Sequence, residues 1–136
     1  MDKFDPPRVF GVFKPAGHTV LAFPDAAKLA DGMKQLQSTG LTEHQLTCYT
    51  AQEMLAQNDA DLAQAGVLAE VGQELNLVRM HRELALNGFH FLVAETADDD
   101  TARQVAEICR RCGATVAQQY GRFTIEDLID PADGRG

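Results

Sequence analysis

HTVLAFPDAAKLADGMKQLQSTG, His18 to Gly40, recurs in outline as HFLVAETADDDTARQVAEICRRCG, His90 to Gly113. Each stretch opens on a strand-like apolar run, TVLAF or FLVAE. Each then breaks at acidic or proline residues, continues as an amphipathic helical run and stops at glycine. In the first, Ala26, Leu29, Ala30, Met33 and Leu36 fall at i, i+3, i+4, i+7 and i+10, and in the second Ala102, Val105, Ala106, Cys109 and Cys112 repeat that spacing. This is the apolar stripe of a helix lying on a sheet. Gly40 and Gly113 are placed to supply the left-handed residue that ends each helix.

The likeness continues downstream. A second strand, about QLTCYT, follows Gly40, and about ATVAQQYG follows Gly113. Thr50 with Glu53 then has capping-box spacing, and Thr124 with Asp127 a weaker form of it, which predicts a short helix after each second strand. His18 and His90 are 72 residues apart and Thr50 and Thr124 are 74 apart, so the pattern reads as two copies of one unit. Right-handed crossovers close two such units into an α+β fold. The expected form is a ferredoxin-like, four-stranded antiparallel sheet with helices on one face. A small parallel α/β sheet is the alternative.

Between the copies, residues 50–88 favour helix almost throughout, with Asn58-Asp59 the expected break and one long helix from about Ala60 to Asn87. Leu68, Val71, Leu75, Val78 and Ala85 make one apolar stripe; Leu77, Met80 and Leu84 extend it to a second side. A helix apolar on two sides touches two things, its own sheet and, by expectation, a second copy, because symmetric dimers are the commonest oligomers. The organisation expected is one domain. Residues 1–16 form an arm that docks on the domain or a partner, 17–55 the first unit, 56–88 the connecting helix, 89–129 the second unit and 130–136 a frayed tail.

Bulk properties exclude several functions. With 136 residues, 45 % of them hydrophobic, the chain can bury a core without disulfides or metal. A net charge of -8 argues against nucleic acid and anionic membrane as partners, since both recruit clustered Lys and Arg. No run of about 18 apolar residues exists to span a membrane, and MDKFDPPRVF lacks the apolar segment of a secretory signal. Three cysteines do not make a disulfide framework, so reduced thiols in a cytoplasm are expected.

Cys109 and Cys112 have the spacing of redox and zinc pairs. Redox pairs work at helix N-termini, where the dipole favours thiolate; this pair sits at the C-terminal end, where Arg110 and Arg111 offset only part of the opposite effect. Zinc needs further ligands. Small core residues near a helix end are therefore expected, with a thiol switch or metal as alternatives. His18 and His90 begin equivalent strands, which places them about 15–20 Å apart at opposite sheet ends, too far to share a metal. Asp98, Asp99 and Asp100 read as helix capping. Serine catalysis has no candidate beyond Ser38, the one serine, and no phosphate loop or zinc-protease motif is present.

The remaining candidates are for binding. Arg79, His81, Arg82 and Glu83 cluster late on the long helix, as a solvated face or as an anion site with Arg82 as its fork. Tyr120 and Arg122 flank Gly121 at the end of a strand, as a plain turn or a ligand contact. His81, Arg82, Tyr120 and Arg122 are thus the ligand-binding candidates, and Leu77, Met80 and Leu84 the interface candidates. Neither a cofactor nor a catalytic residue is implied.

The units HTVLAFPDAAKLADGMKQLQSTG and FHFLVAETADDDTARQVAEICRRCGA resemble those of bacterial general-stress-protein-like and heat-induced stress-protein-like families. The resemblance covers roughly half the chain and lies in pattern. It implies a stress-associated cytoplasmic protein and offers no catalytic residues. The middle departs from it: relatives carry a glycine-rich, membrane-like segment where this chain has ELNLVRMHREL. Three functions follow as expectations: a non-catalytic dimeric module acting through protein contacts, a small-molecule sensor similar in plan to ACT domains, or an enzyme of the dimeric α+β barrel kind. The last would use the open sheet face as its pocket, with His90, Gln118 and Thr47 projecting from strands.

Overall fold

A computed structural model of the chain describes residues 1–9, 12–64, 73–121 and 124–129. Two short strands, β1 (Arg8–Val9) and β2 (Val12–Phe13), pair as an antiparallel ribbon. There follow β3 (His18–Phe23), α1 (Ala26–Ser38), a 3-10 turn at Glu43–Gln45, β4 (Leu46–Tyr49), α2 (Ala51–Gln64), α3 (Gln73–Leu86), β5 (His90–Glu95), α4 (Asp99–Arg111), β6 (Val116–Tyr120) and β7 (Ile125–Asp127). The fold is α+β.

Both repeated units start and stop their helices as their local sequence dictates. Asp25 caps α1 by accepting from the Lys28 N–H at 2.8 Å, and Asp98 caps α4 by accepting from the Thr101 N–H at 2.7 Å. Gly40 (φ 106°) and Gly113 (φ 107°) turn the chain off the two helices. A side chain at Gly113 would be strained by that φ, and Lys28, whose Cδ would lie 2.6 Å from the new Cβ, would have to swing aside. The first unit's stripe is rotated from expectation. Ala26 and Ala30 are exposed, and Gly32 is buried instead, where a Cβ would meet Phe23 Cζ at 2.8 Å.

The main sheet has five strands rather than four, in the order β4-β5-β3-β6-β7, and every neighbouring pair is antiparallel. The fifth comes from Thr124 to Ile129, where the sequence pattern predicts a helix. The Gly121 N–H donates to the Thr124 C=O at 2.8 Å, closing a hairpin that pairs Ile125 with Tyr120. That turn outcompetes a capping box whose acidic partner is only an aspartate. His18 pairs with Glu95 and Phe23 with His90, so the two histidines do lie at opposite ends of the sheet.

Helices cover both faces of the sheet, not one. Leu21, Phe23, Leu92, Ala94 and Ala117 face α1 and α4, meeting Leu36, Val105, Ala106 and Cys109. Val20, Ala22, Phe91, Val93 and Tyr120 face the other way, against Met54 of α2 and Leu75, Val78 and Ala85 of α3. Phe13 of the ribbon completes that second core, edge-on to Tyr49 and Tyr120. The arm therefore docks on its own domain.

The expected long helix is two helices. Arg82 Nε lies 2.7 Å from Asp59 Oδ1, although one continuous helix would hold them about 35 Å apart at 1.5 Å per residue. The chain reverses between α2 and α3. Asn58-Asp59 is not the break: Asn58 is buried within α2 and donates to Met54 Sδ at 3.4 Å, away from its own backbone. Leu68 and Val71 lie outside the described residues.

Candidate functional site

His81 falls on the buried stripe of α3, three residues beyond Val78, and is fully buried. Its Nε2 lies 2.7 Å from Gln118 Oε1, which fixes the tautomer with the proton on Nε2. The edge of Phe91 stands over the ring, centroids 5.5 Å apart. Nδ1 is buried and has no partner among the described residues, and the same holds for Oδ1 of Asn58. Burial pushes the His81 pKa down to about 4, with the bond to Gln118 offsetting part of that. The imidazole is neutral at physiological pH.

The four ligand-binding candidates do not line one site. Tyr120 is buried in the same layer as His81, and burial raises its phenol well above the ordinary value. Arg82 points outward and binds Asp59, joining α3 to α2. Arg122 lies outside the described residues. The charged neighbours Arg79, Arg82 and Glu83 disguised His81 as part of an exposed face; its spacing from Val78 and Ala85 was the signal that it faces the core.

Of the interface candidates, Leu84 and Leu77 are half-buried against the α2–α3 core, while Met80 is 37 % exposed. Leu77 and Met80 line a mainly apolar groove of about 150 Å³ with Val116, Ala117 and Ile129, and Thr115, Gln118 and Asp127 add polar groups to it. The sheet face that a barrel-type enzyme would use as a pocket is occupied by α2, α3 and Phe13. The candidates for that pocket, His90, Thr47 and Gln118, are spread over β5, β4 and β6, with Gln118 tied to His81.

Cys109 is buried, and desolvation pushes its thiol up to about 12. Cys112, half-buried, is also raised by burial. Both are held in the unreactive thiol form. Among the described residues no group of three or more His, Cys, Asp or Glu is placed to hold a metal ion, and no helix is long and apolar enough to cross a membrane.

A cleft of about 350 Å³ is one that the sequence did not announce. It opens between the N-terminal arm and α2. Lys3 Nζ meets Glu53 Oε2 at 2.7 Å and the Cys48 C=O at 3.0 Å, and sits over the rings of Phe4 and Tyr49. The Lys3 hydrogen bond holds the Glu53 carboxyl below its ordinary pKa. Glu53 also completes the expected capping box with Thr50, whose N–H donates to Glu53 Oε1 at 3.0 Å and whose Oγ1 accepts from the Glu53 N–H at 3.1 Å. At the far end Asp61 is buried, accepting from the Phe13 N–H at 3.0 Å and Gln57 Nε2 at 2.8 Å, with Arg8 Nε 3.9 Å away. Burial dominates and raises the Asp61 pKa.

No family model, curated protein or solved structure matches this chain.

Proposed function

We propose that the chain is a non-catalytic module that forms a homodimer and works through protein contacts. The observation that carries this reading is the second apolar side of α3, where exposed Met80 and half-buried Leu77 border a mainly apolar groove beside β6. Covering that side with a second copy would remove apolar surface from water. The non-catalytic part draws support from chemistry: His81 is locked neutral in the core and Cys109 is a buried thiol. A cytoplasmic, stress-associated setting belongs to the same reading and rests on the resemblance of the two units.

The core plan is read here as ferredoxin-like, built by duplication, with β7 and the α2–α3 layer added to it. Matching aspartate caps, positive-φ glycines and the mutual pairing of β3 with β5 support it. A second reading, a small-molecule sensor similar in plan to ACT domains, draws support from the cleft beneath the arm rather than from His81, Arg82 and Tyr120.

Sedimentation equilibrium tests the first reading. The wild type is expected as a dimer, and Met80→Glu as a folded monomer with unchanged circular dichroism. A monomeric wild type, or a dimer that survives Met80→Glu, would remove it.

A further inference from the structure

The cleft beneath the arm has a charge layout that selects what can enter it. One stripe of α2 forms its wall: Glu53, Ala56, Gln57, Ala60, Asp61 and Gln64. Glu53 and Asp61 stand about 12 Å apart along the helix, at 1.5 Å per residue. Each faces an arm cation, Lys3 at one end and Arg8 at the other. Arg8 is further engaged by Asp5 Oδ1 at 3.0 Å and by the Pro6 C=O. The charges at both ends are thus matched within the protein. A charged ligand would have to break one of these pairs or give up part of its hydration without gaining a partner.

The middle of the cleft is different. Ala56 and Ala60, one turn apart and both exposed, present only methyl groups. The Gln57 amide nitrogen is committed to Asp61, which leaves its carbonyl oxygen as an acceptor. Phe4, on the opposite wall, is 83 % exposed, the most exposed large apolar side chain among the described residues. An aromatic ring held out at the rim of a concave site gains by covering a flat partner. The cleft's volume, about 350 Å³, is enough for a small ligand.

We propose that this cleft binds a small, neutral, planar heteroaromatic molecule. Its ring would lie between Phe4 and the Ala56–Ala60 wall, with its polar edge on the carboxamides of Gln57 and Gln64. The proposal goes beyond self-association and does not depend on it, since the cleft and the Leu77–Met80 groove have no lining residue in common.

The test is a two-dimensional ¹H–¹⁵N NMR titration of the full chain. Three neutral probes, adenine, cytosine and indole, are compared with benzoate and benzylamine. At least one neutral probe is expected to give saturable shifts at Phe4, Ala56 and Ala60. The charged probes should bind at least about ten-fold more weakly, for want of a free counter-charge. Ala60→Leu fills the wall at an exposed position and should abolish those shifts while the rest of the spectrum stays in place. Phe4→Ala should weaken them at least about ten-fold, the loss of a stacking partner. No saturable shift at these residues with any of the three neutral probes overturns the proposal. So does binding that survives Ala60→Leu, or benzoate or benzylamine binding as tightly as the best neutral probe.

Discussion

His81 is a titratable group whose native environment admits only its neutral form. Its pKa is about 4 in the folded chain against an ordinary 6.5. Above pH 6.5 both states are neutral and the group is indifferent to folding. As pH falls from 6.5 to about 4, the unfolded chain takes up a proton that the native chain refuses, so stability falls across that window and then levels. The full effect is about 3 kcal/mol, at 1.36 kcal/mol per pKa unit. Urea denaturation of wild type and His81→Leu at pH 7 and pH 4.5 measures it. The wild type should lose most of that amount beyond what the variant loses, and equal losses would show that His81 titrates freely. The caps at Asp98 and Thr50 were legible in the sequence because a cap is a contact over three residues. His81 was legible only through its helical phase, which three charged neighbours obscured.

At the scale of elements, the buried carboxylate of Asp61 ties the ribbon to α2, in addition to the Lys3–Glu53 pair and the packing of Phe13 in the core. Asp61 accepts the Phe13 N–H at one oxygen and the Gln57 side-chain amide at the other. Its own charge is desolvated, as its raised pKa records. The bond and the charge can be separated. Asp61→Asn keeps an acceptor for Phe13 and removes the charge, so thermal stability at pH 7 should change little or rise. Asp61→Ala leaves a buried N–H unpaired and should cost about 1–3 kcal/mol. Equal loss in both variants would mean that the charge, through Arg8, is what holds the ribbon. Tertiary partners also explain where element boundaries escaped the sequence. Asn58-Asp59 looks like a break by propensity, yet Asn58 is turned into the core and Asp59 is bound by Arg82. The strand β7 exists because a turn at Gly121 brings it beside β6, which nothing local in TIEDLI states.

For the whole molecule, the two runs TVLAF and FLVA specify how many layers the fold has. An antiparallel strand with one solvated face alternates apolar and polar residues; a near-continuous apolar run is buried on both faces. Val20 to Phe23 and Phe91 to Ala94 are all buried, in β3 and β5 at the centre of the sheet. That pattern already required a second helical layer, and the α2–α3 pair supplies it. The cleft could not be read this way, because it arises from the arm folding back onto a helix some fifty residues away, as Lys3 does onto Glu53. The two layers are not equal. The α1–α4 side meets the sheet mostly through apolar side chains, and the buried Thr19 and Thr96 at its edge satisfy each other at 2.9 Å. The α2–α3 side buries Asn58, Asp61, His81 and Gln118, and two of their polar atoms lack partners among the described residues. Each such atom costs about 1–3 kcal/mol that is recovered when the layer lifts and water returns. Native-state hydrogen exchange should therefore show α2 and α3 opening at lower free energy than α1 and α4, with β3 and β5 opening only on global unfolding. Amides of α2 and α3 that exchange as slowly as those of β3 would mean that the polar layer is as firmly seated as the apolar one, and that those two atoms find partners in the folded protein.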